Sequence, residues 1–219
     1  MGKGLLGCLV VVVVVAIIAV VVLGGTYNRL VSLSQAVDAQ WAQVENVYQR
    51  RADLIPNLVA TVAGAANFEK SVLVEVTNAR ASVGQAQMSA KDLPNDPAAF
   101  ARFEQAQAAL SSALSRLLVV VERYPDIKAN ANFQTLQAQL EGTENRIAVE
   151  RMRYNERAQE YNTALLRFPT NLMGRLLGFQ PKAYFKAQAG AERAPQVEFN
   201  FGSPAPAAPS VPAATASPR

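Results

Sequence analysis

Two groups of polar residues hold most of the chemistry this chain can offer. Arg50, Arg51, Asp53 and Asn57 form one group, and Glu141, Glu144, Asn145 and Arg146 the other. Arginine meets a carboxylate or a phosphate through paired, charge-assisted hydrogen bonds. Two readings stay open. In one, the groups meet across a helical bundle as a buried or half-buried network that fixes helix register. In the other, they line a pocket for a small anion, clamped by arginine. Glu141 and Glu144 share a helical face at i and i+3, which is also the spacing of an ordinary solvated face. The chain has no histidine and one cysteine, Cys8. Transition-metal sites of the His/Cys kind and His-dependent triads are therefore excluded, and the Glu-x-x-His pairs of a di-iron bundle cannot be built. There is no nucleophile–base pair of recognised type and no Gly-rich phosphate loop. The expectation is a non-enzymatic protein with no catalytic, metal or cofactor-binding residue and no cofactor.

The elements that must position these groups read as helices almost throughout. From Tyr27 the larger side chains recur at threes and fours: Leu30, Ser34, Val37, Trp41, Val44, Tyr48, then Arg51 as an interruption, then Ile55, Leu58 and Val62. This is a heptad-like, coiled-coil-type seam. Pro56 predicts a kink or break near Ile55, because proline lacks an N–H and crowds the preceding turn. A second helix then runs through Val62, Val72, Val76 and Val83 to about Ala90, and residues 91–95 form a loop. Asp96 followed by Pro97 marks a third helix start. That helix carries Phe100, Phe103, Leu110, Leu114, Leu117 and Val121, with Leu117–Val121 expected to be deeply buried, and Pro125 ends it. A fourth starts at Asn130 or Asn132 and carries Phe133, Leu140, Ile147, Tyr154, Tyr161, Leu165 and Phe168 up to Pro169. Short connections between long amphipathic helices imply an antiparallel, up-down bundle.

Before the bundle lies Leu5–Gly25, a valine-rich run with no charge and no proline. It is roughly 20 residues, the length needed to cross the hydrocarbon core as a helix. A cleaved signal peptide has an apolar region of only about 7–15 residues. Leu5-Leu6-Gly7-Cys8 looks like a lipoprotein box, but here the apolar region follows the cysteine. Gly2 is not a myristoylation signal, since Leu6 stands where Ser or Thr is needed. Nothing between Gly25 and Tyr27 stops a helix, so span and first body helix read as one rod with the Gly24–Gly25 pair as a candidate hinge.

Past Pro169, Leu172, Met173, Leu176 and Leu177 are interleaved with Arg175. They predict a short amphipathic helix over about Thr170–Leu177. It either caps the bundle or lies on a membrane surface. Beyond Gly202 the Pro/Ala/Ser composition cannot bury enough surface to stay ordered. The domain reading is a flank at 1–4, a transmembrane helix at 5–25, a bundle at 26–169, a short amphipathic helix and extended segment at 170–201, and a disordered tail at 202–219. Net charge is +4, with both signs interspersed, a mild bias towards anionic membrane surfaces and no nucleic-acid signature.

Several stretches together resemble the LemA family. They are Tyr27–Val31 with Trp41 and Arg50–Val59; Leu117–Asn130; Leu140–Ala148 followed by Arg153-Tyr154-Asn155 and Glu160-Tyr161-Asn162; and Phe168-Pro169, Gly178-Phe179 and Tyr184-Phe185. They run in the family's order over nearly all of residues 27–200. Ala42 and Ala63 depart from it, standing where the family often has serine and a charged residue. The resemblance implies a bacterial inner-membrane protein with one N-terminal span, an antiparallel helical bundle and no attached enzymatic activity. A family member implicated in membrane formation suggests a membrane-shaping role.

The resulting expectation is an all-α, membrane-anchored scaffold whose partners are the lipid bilayer, further copies of itself and other membrane proteins. The alternative is a sensory or small-anion-binding module, in which ligand occupancy is relayed by small helix shifts. Lys3 before the span, with Arg29, Arg50 and Arg51 after it, gives a weak preference for a cytoplasmic N-terminus and an extracytoplasmic body.

Overall fold

The computed structural model describes residues 2–64, 68–88 and 93–186. In chain order it has α1 (Gly2–Ala63), α2 (Lys70–Met88), a 3-10 turn (Leu93–Asn95), α3 (Pro97–Val121), the single turn α4 (Pro125–Lys128), α5 (Ala131–Leu166) and α6 (Thr170–Leu177). Among the described residues there is no strand. The described residues up to Phe185 belong to one unit. The sequence-expected tail at 202–219, residues 187–201 of the extended segment, and Lys91 and Asp92 of the expected loop lie outside the described residues.

The first helix is one uninterrupted element of 62 residues, about 90 Å long at 1.5 Å per residue. Gly24 and Gly25 do not break it. Its N-terminal part is long and apolar enough to cross a membrane. The described side chains between Leu9 and Leu23 are all exposed, which would be unfavourable in water and is the natural state in lipid.

Of the kink or break expected near Ile55, the break does not occur. The helix continues through Pro56 to Ala63, and the chain leaves the helix at Gly64. Proline removes the bond that the residue-52 carbonyl would otherwise accept. Arg80 of α2 supplies a replacement, its Nε donating to the Ala52 carbonyl at 3.0 Å. Pro56 itself is exposed. The second helix therefore begins after a break at Gly64, not at the proline.

Four helices make the bundle. Ion pairs and side-chain bonds fix their directions: Glu150 with Gln40 and Glu144 with Arg51 set α5 antiparallel to α1. Glu75 with Arg116 and Glu69 with Arg123 set α2 antiparallel to α3. Helix starts follow local chemistry. The Asp96 carboxylate accepts from the Ala98 and Ala99 amides, and Asn130 does the same for Asn132 and Phe133, each satisfying amides that a helix start leaves open.

The core has two apolar clusters. At the end where α1 enters, Leu30, Val37, Trp41, Tyr48, Phe100, Phe103, Tyr154 and Tyr161 pack with Phe185. At the far end, Ile55, Leu58, Val62, Val72, Val76, Leu110, Leu117 and Phe133 pack together. Three large residues expected in the core are not in it, and Tyr27 at the head of the seam is one, 44% exposed. Val119 is 70% exposed, because a bundle helix buries one face and residue 119 falls on the other. Phe168, 85% exposed, lies beyond the end of α5.

Candidate functional site

The α1 seam runs Val37, Trp41, Val44, Tyr48, Arg51, Ile55, Leu58, and every one of these residues is buried. Arg51 is thus not an interruption of the seam but a core position filled by a charge. It is 2% exposed and lies between the two apolar clusters. Its Nη1 donates to Glu144 Oε1 at 2.6 Å and to Ser111 Oγ at 3.0 Å, and its Nη2 donates to Gln107 Oε1. The guanidinium also stands 5.3 Å from the centre of the Tyr48 ring, within cation–π range. Its Nε has no hydrogen-bond partner among the described residues. Gln107 and Thr143 are buried at the same level. The result is a polar layer through α1, α3 and α5.

The eight residues singled out by sequence therefore do not form one site. Arg51 and Glu144 meet across the bundle. Arg50, Asp53, Asn57, Glu141, Asn145 and Arg146 are all exposed. Asp53 accepts from Gln49 one turn earlier, Glu141 accepts from Gln137, and the Asn57 carbonyl accepts from Thr61. Asn145 and Arg146 line an open groove between α1 and α5 with Gln43, Asn46, Glu150 and Arg153. Sequence reasoning missed Gln107 and Ser111. The signal for Gln107 was available: it occupies the α3 stripe between Phe103 and Leu110.

A second polar arrangement joins α5 to the segment after α6. Tyr154-Asn155 and Tyr161-Asn162 are a dipeptide repeated at seven residues, so both pairs share one face of α5. Asn162 donates to the Lys182 carbonyl at 2.9 Å and accepts from the Lys182 amide at 2.8 Å. Asn155 does the same with Phe185, both bonds at 2.9 Å. Tyr154 donates to the Ala183 carbonyl and Tyr161 to the Gln180 carbonyl, at 3.0 and 3.1 Å. Each asparagine amide pairs with a backbone N–H and C=O as a neighbouring strand would. The extended segment 180–185 is thereby strapped along α5. From the strap, Lys182 reaches under α1, buried, and pairs with Asp38 at 2.8 Å. The Tyr-Asn repeat is visible in the sequence; Lys182 had no such signal.

Two of the buried phenols, Tyr48 and Tyr161, are shifted towards their neutral form. Burial pushes the Tyr48 pKa above its ordinary 10.0; Arg151 and then Arg51 pull it back, while Glu144 and Glu104 add to the rise. Tyr161 is raised by burial first and then by Asp38. Neutral tyrosine is an O–H donor, which is how Tyr161 is used.

The strap makes a prediction. Asn162→Ala removes both partners of a buried backbone pair, at a cost of about 2 kcal/mol. Hydrogen exchange at the Lys182 and Phe185 amides is then expected to quicken well ahead of global unfolding. Unchanged protection at Lys182 would show that the asparagine does not hold the strap.

An exposed apolar helix runs without a break into a four-helix bundle whose core is split by a charged layer. That combination defines a membrane-associated helical-bundle protein. Residues 40–199 match the LemA family, and the chain belongs to it. Among curated relatives it is similar to magnetosome proteins MamQ 1 and MamQ 2 of Paramagnetospirillum magneticum. Each is 27% identical over 208 residues, covering 88% of this chain and 76% of the relative. Magnetosome protein MamQ of Magnetospirillum gryphiswaldense is 27% identical over 174 residues, covering 73% of this chain and 64% of the relative.

Proposed function

We propose that the protein is a non-enzymatic scaffold of the bacterial inner membrane, held by one span, with its body outside the cytoplasm, and that it self-assembles and shapes the membrane. The observation that carries this reading is the continuity of α1. The exposed apolar run and the core seam belong to one helix, so the bundle's orientation to the bilayer is set by a rigid element and not by a loose tether. Its partners are then lipid, further copies and other membrane proteins, with no nucleic acid. The similarity to magnetosome proteins is in keeping with a role in organising membrane.

The test is the mass of the detergent-extracted full chain by size exclusion with light scattering. Large, regular assemblies are expected. A discrete monomer that binds a small molecule would sink the scaffold.

The alternative, an anion-binding or sensory module, has one observation in its favour: the unpartnered Nε of buried Arg51. Against it, both terminal nitrogens are already engaged by Glu144, Ser111 and Gln107, so an entering anion must displace Glu144. Under the alternative, inorganic phosphate raises the melting temperature of the parent chain and Arg51→Ala abolishes that rise.

A further inference from the structure

The eight-residue helix α6 is turned the wrong way round for a bundle cap. Its buried residue is Gly174. A Cβ there would stand 2.3 Å from Leu165 Cδ1, so the face that meets α5 is the one without a side chain. At 100° per residue, Leu172 and Leu176 lie about 160° to either side of Gly174. They point away from the bundle and are 70% and 86% exposed. Leu166 and Phe168, at the end of α5 and just after it, are exposed as well. A helix that capped the core would bury its leucines; this one displays them.

The position of α6 says what covers them. Phe168, Pro169 and Thr170 share a small pocket with Thr26, Arg29 and Leu30 of α1. After α6, Phe179 meets Tyr27 edge to face at 6.0 Å between ring centres. Both ends of the α6 segment are therefore held at the first turns of α1 that follow its exposed apolar run. Residues 161–186 contain Arg167, Arg175, Lys182 and Lys186 and no acidic residue. Of these, Arg167, Arg175 and Lys186 are exposed. Exposed leucines and a phenylalanine, flanked by arginine and held beside the turns of α1 that follow its apolar run, suit the headgroup–acyl boundary of an anionic bilayer.

We propose that α6 is a membrane-interface foot: Leu172, Leu176 and Phe168 enter the surface of the bilayer that α1 crosses, giving the bundle a second, lateral contact with lipid. The inference rests on the reading of α1 as a span. Two contacts, one along the bilayer normal and one in its plane, fix the rotation of the bundle about α1 as well as its height.

The test uses the full chain in vesicles of phosphatidylethanolamine and phosphatidylglycerol. Cys8→Ser leaves no other cysteine, and single cysteines are placed at Leu176, at Val15 in the apolar run and at Val119 at the far end of the bundle. Each carries a nitroxide, whose depth is read from its accessibility to oxygen, which concentrates in lipid, against a water-soluble nickel chelate. The label at 176 is expected about 5–10 Å into the interface, with 15 deeper and 119 in water. A label at Leu172, equally outward, repeats the measurement should the first site disturb folding. Residue 15 in lipid with 176 as aqueous as 119 overturns the foot and leaves the span standing. Residue 15 in water overturns both. A label at 176 shielded from oxygen and nickel alike identifies another protein copy as the occupant and overturns the foot.

Discussion

Trp41→Ala is expected to lower the unfolding free energy of the full chain in detergent micelles by about 3–5 kcal/mol, the range for deleting a buried large aromatic. Trp41 is the point where four segments meet. From α1 its ring lies 5.6 and 5.8 Å from Phe100 and Phe103 of α3, 5.4 Å from Tyr154 of α5 and 6.0 Å from Phe185 of the strap. Phe185 and Phe100 are themselves only 4.7 Å apart. Truncation removes the transfer energy of the indole and leaves a cavity walled by rigid rings from separate elements, which cannot all close in. Circular dichroism at increasing temperature or denaturant measures the loss. Val119→Ala, on an exposed helix face, is the control and is expected to stay within about 0.5 kcal/mol of the parent. A Trp41→Ala protein as stable as that control would mean the aromatic cluster is not what joins α1 to the bundle.

The second large effect concerns the charged layer, and its sign depends on what is removed. Glu144→Ala leaves the Arg51 guanidinium buried with its closest counter-charge gone. Breaking a buried pair costs about 3–5 kcal/mol. Glu144 is itself 43% exposed, so water can enter where the carboxylate was, and a loss of about 2–3 kcal/mol is expected. Replacing the layer instead, with Arg51→Met and Gln107→Leu together, removes the charge and its buried acceptor. That variant is expected to equal or exceed the parent in stability, because a well-packed apolar layer spares the cost of taking ions out of water. What it gives up is specificity. A single polar core position fixes register along an otherwise repetitive seam, and α1 repeats its apolar spacing on both sides of Arg51. The double variant is thus expected to populate more than one packing, visible as broadened methyl resonances or added oligomeric species. Equal destabilisation by Glu144→Ala and by the double variant would argue that the layer holds the fold together instead of selecting its register.

Much of the architecture is written in local chemistry. The apolar run before Gly25 needs only its composition to be helical in lipid. The seam from Leu30 to Val62 needs only its spacing. Asp96 and Asn130 mark helix starts because a short side-chain acceptor there meets backbone amides two and three residues on. The fold class and the family follow from such features, each of which acts within a few residues.

What the sequence could not show depends on partners far along the chain. Pro56 should weaken a helix by every local rule, yet the helix runs on, and Arg80, 28 residues away, bonds the carbonyl it frees. Arg51 looks like a gap in an apolar seam until Gln107, Ser111 and Glu144 come from two other helices. Asn155 and Asn162 look like surface residues of α5 until the chain returns as an extended strap beside them. The leucines of α6 look like a cap's apolar face until Gly174 shows which side meets the bundle. Leu5–Gly25 itself was legible as an apolar span from sequence alone, because burial in lipid depends on composition. Its continuation past Gly24 and Gly25 was legible as well, since nothing in the sequence stops a helix there and a Cβ on either would meet nothing within 4 Å; its continuation past Pro56 was not, because local propensity sets only a cost that distant partners can offset.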